Sequence, residues 1–244
     1  MSTSVAHAST GSRPSNNRLL AWTIIVFGLV TSAAFGMLSA VFEFPDILRR
    51  PGTEVLEKYA ENASVVRPTY WLLGMTGLVL IGISVELGRF LTPIAEGPAR
   101  LVSGFGVATG IFWSLGYTRW PVAVPFLSDM YKSGDAAEKQ RASELYGMLN
   151  RYAGMTVGEH LGFIAMGVFA IALAIGLRRG NVGPRWFLPV GVFAGVLIAI
   201  TSYEQYNPDV AALGALNGLA NTVWFLWMIA IGVVLLRRSK QSAA

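Results

Sequence analysis

Near the middle of the chain the heptapeptide VGEHLGF places Glu159 beside His160, just inside an apolar run long enough to cross a membrane. An ionisable side chain there costs a few kcal/mol at the bilayer centre and less toward the interface, so its presence points to a function. A carboxylate in such a setting can carry a proton or hold a cation, and an imidazole can relay a proton or serve as a general base. Other polar residues reach the same depth. Tyr117 and Arg119 close the third apolar segment, Glu204 closes the fifth, and Asn217 and Asn221, four residues apart on one helix face, open the sixth. With Arg119 neutralising Glu159 or Glu204, and the asparagines supplying amide donors and acceptors, these residues are expected to converge on one outward-opening ligand pocket. The plainer alternative is a polar cluster that only ties neighbouring helices together.

Several chemistries find no support. Neighbouring residues on a helix point about 100° apart, and His160 is the only histidine outside the N-terminal tail. No metal site is therefore expected. Cysteine is absent, the apolar segments hold no lysine for a Schiff base, and a haem with two axial histidines lacks its second ligand. P-loop, dinucleotide-binding and HExxH patterns are missing. Ser114 or Ser202 could pair with His160 as a dyad, but no G-x-S-x-G context surrounds either serine. No catalytic residue and no cofactor is assigned.

The elements that must position these residues follow from composition. Hydrophobic residues make up 53% of the 244 and charged residues 14%, and a spanning helix needs roughly 20 mostly apolar residues. Six segments qualify, at 19–43, 69–91, 99–121, 155–177, 186–204 and 211–236. The expected fold is an all-α polytopic membrane protein with six transmembrane helices. Residues 1–17 read as a disordered cytoplasmic tail, 18–238 as one integral membrane domain and 239–244 as a second cytoplasmic tail. Ten of the nineteen Lys and Arg fall on the side of the termini, accompanied by Glu96 alone. This bias places both termini in the cytoplasm of a cell whose inner (plasma) membrane holds the chain. The net charge of +5 is accounted for by these flanks, so no nucleic-acid partner is expected.

Two outer loops carry helical patterns of their own. In GTEVLEKYAENA, Thr53 is placed to cap, Val55, Leu56, Tyr59 and Ala63 share a face, and Glu54 precedes Lys58 by four. In the second loop Ala142, Leu145, Tyr146, Leu149 and Tyr152 form a stripe. Each is expected to be a short amphipathic helix on the membrane surface or across the mouth of the bundle. Small residues at four-residue spacing, Gly28, Ser32, Gly36 and Ala40, with Gly106 and Gly110, Gly191 and Gly195, and Gly214 and Gly218, predict close helix packing. Glu86 and Arg89 are expected to pair with each other.

The segments FEFPDILRRPGTEVLEKYA, VGEHLGF, PRWFLPVGVFAGVLIAI and ALNGLANTVWFLWMIAIGVVLLRR, in this order, resemble a bacterial family of small membrane proteins, the domain of unknown function 4386. The resemblance covers about residues 20 to 238 and implies a single six-helix membrane domain, with no activity attached. Function is thus expected to be binding or accessory. The pocket would take a lipid-like or small amphipathic ligand, or dock a membrane-protein partner or a second copy. A proton-coupled carrier using Glu159 and His160, or an intramembrane enzyme with either as general base, are the alternatives.

Overall fold

The computed structural model describes residues 14–207 and 212–241, all helix or short connection, with no strand among them. The helices are α1 (Pro14–Phe42), α2 (Gly52–Leu91), α3 (Glu96–Ser133), α4 (Ala136–Arg179), α5 (Phe187–Thr201) and α6 (Ala212–Gln241). A 3-10 turn, Asp46–Arg49, lies in the α1–α2 connector, and another, Ser202–Gln205, prolongs α5. Of the expected tails, residues 14–17 and 239–241 are helical, and the remainder lies outside the described residues.

Five stretches, Asn17–Phe42, Gly52–Leu91, Ala136–Arg179, Phe187–Gln205 and Leu213–Gln241, are long and apolar enough to cross a membrane. Helix α3, the expected third span, has ample length at 38 residues. Its apolar run is diluted by Gly, Ser, Thr, Tyr and Trp, and it is flanked extensively by α2 and α4. The helices run alternately between two ends of the bundle. At one end α1 begins and α6 finishes, since a Cβ on Gly232 would lie 2.9 Å from the Ala21 carbonyl oxygen. We call this the terminal end, and the other, which carries residues 43–51, the connector end.

Packing rests on close backbone approach where small residues permit it. A Cβ on Gly110 of α3 would sit 2.5 Å from the Gly77 carbonyl oxygen of α2, so only hydrogen fits there. Gly28, Gly106, Gly191 and Gly195 also meet neighbouring helices, whereas Gly36 and Gly218 face open space. One apolar cluster, including Leu87, Phe169, Trp224 and Trp227, fills the bundle's middle and terminal end. A second, including Phe42, Ile47, Tyr59, Tyr70 and Trp120, fills the connector end.

The two loop patterns form helix, but neither is a separate short helix. GTEVLEKYAENA supplies the first turns of α2 and bends into the rest at Asn62 (φ −116°, ψ 16°). The second pattern is the first part of α4 and runs without a break into the following span. The reason is that Val55, Leu56, Tyr59, Ala142 and Tyr146 are buried against the connector-end core, which holds these turns on the bundle. Leu145 and Tyr152 of the expected stripe are exposed. Thr53 does not cap: Pro51 occupies that position without a side-chain hydrogen bond. Lys58 pairs with Glu43 rather than Glu54. The start of α4 is a capping box, in which Asp135 accepts from the amides of Ala137 (2.9 Å) and Glu138 (3.0 Å) and Glu138 accepts from the Asp135 amide (3.1 Å).

Candidate functional site

Inside α4, residues Asn150–Leu161 wind as a π-helix, twelve residues long, whereas the other helices among the described residues are α or 3-10. Such wide turns are rare and recur at functional sites. Thr156 Oγ1 donates to the Arg151 carbonyl five residues back at 2.9 Å, in keeping with the wider winding. Gly154 and Gly158 leave the segment thin enough for α3 to press against it, since a Cβ on Gly116 would lie 2.9 Å from Gly158 Cα. The π-helix thus carries Asn150, Glu159 and His160 to the connector end, facing α3, the α1–α2 connector and the end of α5.

Asn150 ties three elements together. Its Oδ1 accepts from Arg119 Nη2 of α3 at 3.0 Å, and its Nδ2 donates to the Leu48 carbonyl of the connector at 3.2 Å. Asn150 is 5% exposed and Arg119 7%. Arg119 also donates through Nη1 to the Gly116 carbonyl, and its guanidinium carbon lies 5.3 Å from the Trp120 ring centre. Its Nε has no partner.

Of the two carboxylates expected to be neutralised by Arg119, Glu159 lies within its electrostatic reach, while the hydrogen bonds of Arg119 go to Gly116 and Asn150. Glu204, 5% exposed, is instead paired with Arg49, whose Nε donates to Oε1 at 2.9 Å and whose Nη2 donates to the same oxygen. Arg49 reaches it because Asp46–Arg49 is anchored by the fully buried Ile47. The second oxygen of Glu204 is buried without a partner. Glu159 accepts a hydrogen bond from the Gln205 side chain and lies within electrostatic reach of Arg119, Arg49 and Glu204. His160 Nδ1 stands 3.1 Å from the Ser202 carbonyl oxygen. A carbonyl only accepts, so Nδ1 carries the proton, which fixes the orientation of the ring.

The asparagines of α6 form a ladder. Asn221 Nδ2 donates to Asn217 Oδ1 at 2.9 Å, and Asn217 Nδ2 donates to Thr201 Oγ1 at 2.7 Å, which links α6 to the end of α5. Tyr117 is partly buried with its ring 6.3 Å from that of Tyr70. Tyr203 and Tyr206 turn away from the site and are exposed. The serine–histidine dyad does not form, because Ser114 Oγ donates to the Gly74 carbonyl at 2.9 Å and Ser202 Oγ to the Ala199 carbonyl at 2.7 Å. Among the described residues no group of three or more His, Cys, Asp and Glu is placed to hold a metal ion.

Four participants were not singled out as site residues from sequence: Arg49, Tyr70, Asn150 and Gln205. Tyr146 was placed only on an apolar stripe. Tyr70 stacks on Trp120 at 4.6 Å between ring centres, and Tyr146 packs against the same indole at 6.0 Å. Both hydroxyls are buried and have no partner. Both tyrosines, like Tyr117, lie within electrostatic reach of Arg119 and Glu159. A signal for Arg49 was available in the LRRPG stretch, where an arginine pair sits in a connector too short to hold it far from the bundle.

The site therefore combines donors, the Tyr70 and Tyr146 hydroxyls and Arg119 Nε, with an acceptor, Glu204 Oε2, none of them satisfied within the protein. Buried polar groups ordinarily find partners, so these four atoms keep hydrogen-bonding capacity that the protein itself does not use. No curated protein and no solved structure matches the chain. The family model described as Domain of unknown function (DUF4386) matches residues 19–232, and with its helical, membrane-type architecture the chain belongs to that family.

Proposed function

We propose that this chain is a multi-pass protein of the inner membrane that binds a small amphipathic or lipid-like ligand at its connector end, around the π-helix. All six helices cross the bilayer in this reading, α3 included, because its polar residues face α2 and α4 rather than lipid. Both termini are cytoplasmic, which the arginines of the terminal end support, and the connector end faces outward. The observation that carries the reading is the set of buried, unpartnered polar atoms on Tyr70, Tyr146, Arg119 and Glu204. Leaving a buried donor or acceptor unsatisfied costs about 1–3 kcal/mol, and a ligand that meets several of them recovers that free energy on binding.

The test uses Tyr70→Phe/Tyr146→Phe, which removes two unpartnered hydroxyls while keeping the ring packing. Native mass spectrometry of the protein purified from its membrane is expected to find a retained molecule on the wild type that is lost from the double variant. A wild type that emerges bare under conditions preserving its fold, or a variant retaining the same molecule equally well, would overturn the proposal.

A further inference from the structure

At the opposite end of the bundle, the α4–α5 turn forms a concave site lined by Arg178, Asn181, Val182, Arg185, Phe187 and Leu188 among others. We propose that it binds the phosphate of an anionic phospholipid headgroup. The segment GLRRGNVGPRWFL, residues 176–188, holds three arginines and no carboxylate. Among the described residues, two other basic groups of this end, Arg89 and Arg100, are paired with Glu86 and Glu96 on their own helices. None of the ion pairs among the described residues involves Arg178, Arg179 or Arg185.

The site is formed in advance of any ligand. Helix α4 closes with a Schellman motif, in which the Asn181 amide donates to the Arg178 carbonyl at 3.2 Å and the Val182 amide to the Leu177 carbonyl at 2.9 Å. Asn181 takes the left-handed conformation this requires (φ 48°), and Gly183 follows at φ 83°. Val182 is buried beside Leu177, which fixes the turn onto the bundle. Asn181 Oδ1 accepts from Arg178 Nη1 at 3.1 Å, which orients that guanidinium and leaves its remaining N–H groups available.

A planar guanidinium matches phosphate oxygens two at a time. The polar rim of Arg178, Asn181 and Arg185 stands over an apolar floor of Val182, Phe187 and Leu188, with Trp186 exposed beside it. That layering fits a phosphodiester whose glycerol and first acyl carbons rest on the floor, at the depth where tryptophan anchors helices to the interface. Free phosphate would use the rim alone.

The full chain, purified in neutral detergent, is titrated with phosphatidylglycerol, phosphatidylcholine or inorganic phosphate and read by native mass spectrometry and thermal stability. Phosphatidylglycerol is expected to be retained at least about tenfold more than phosphatidylcholine and to raise the melting temperature. Arg178→Gln/Arg185→Gln is expected to bring retention down to the phosphatidylcholine level, whereas Arg100→Gln, an arginine of the same end already paired with Glu96, leaves it unchanged. Arg178→Lys/Arg185→Lys keeps the charge but removes the planar fork, and is expected to lose most of the preference. Equal retention of both lipids by the wild type would overturn the assignment. So would full retention in the lysine variant, which would reduce the effect to surface charge, or equal stabilisation by inorganic phosphate, which would remove the lipid from it.

Discussion

At the terminal end of the bundle, Glu86 meets Arg89 three residues along its own helix and Glu96 meets Arg100 four residues along, both pairs open to solvent. At the connector end the charged and polar groups pair across long stretches of chain, Arg49 with Glu204 and Arg119 with Asn150, and all but Arg49 are buried. The first kind of contact is a property of one helix and adds little to stability, because water already solvates both partners. The second kind joins the connector, α3, the π-helix and the end of α5 into one unit. Its groups have left water and depend on one another for satisfaction.

The comparison breaks most readily at Arg119. Arg119→Ala leaves Asn150 Oδ1 without its donor and removes a cation within reach of Glu159. A loss of about 3–5 kcal/mol is expected, because a buried acceptor and the Glu159 carboxylate both lose a partner, and is measured by denaturant unfolding in detergent. A smaller effect is expected at Arg49, whose side chain is 42% exposed. Arg49→Ala should cost about 1–3 kcal/mol, the penalty of leaving Glu204 unsatisfied, and a double-mutant cycle with Glu204→Gln should return a coupling of the same sign. The smallest effect belongs to the other end: Arg100→Ala should change stability by less than about 0.5 kcal/mol. If Arg100→Ala and Arg119→Ala proved equally costly, the distinction between the two ends would collapse.

The expected cluster was legible to different degrees. Glu159, His160, Glu204, Asn217 and Asn221 stood out because ionisable and amide groups in apolar runs are conspicuous, and all are found at the connector end. Their pairing was not legible. Arg119 does act on Glu159 through space, but where Gly116 packs closely against Gly158 its hydrogen bonds go to the Gly116 carbonyl and to Asn150. Arg49 takes Glu204 because Ile47 seats the connector in the core. Tyr70 was hidden inside an apolar run, where a tyrosine reads as an ordinary span residue. The π-helix has no periodicity signature in NRYAGMTVGEHL that separates it from α-helix, because the choice between the two windings depends on what α3 presses against it.

Sequence alone determined that the chain is helical, where the apolar runs lie, and that Glu86 and Arg89 meet. All of these depend on residues within a few turns of one another, so local propensity and hydropathy suffice. The tertiary structure decided that the amphipathic loop segments become the opening turns of α2 and α4. It also decided which carboxylate meets which guanidinium, and which hydroxyls are buried without partners. Those outcomes depend on how closely two backbones approach and on what has been withdrawn from solvent, quantities fixed only when distant segments pack.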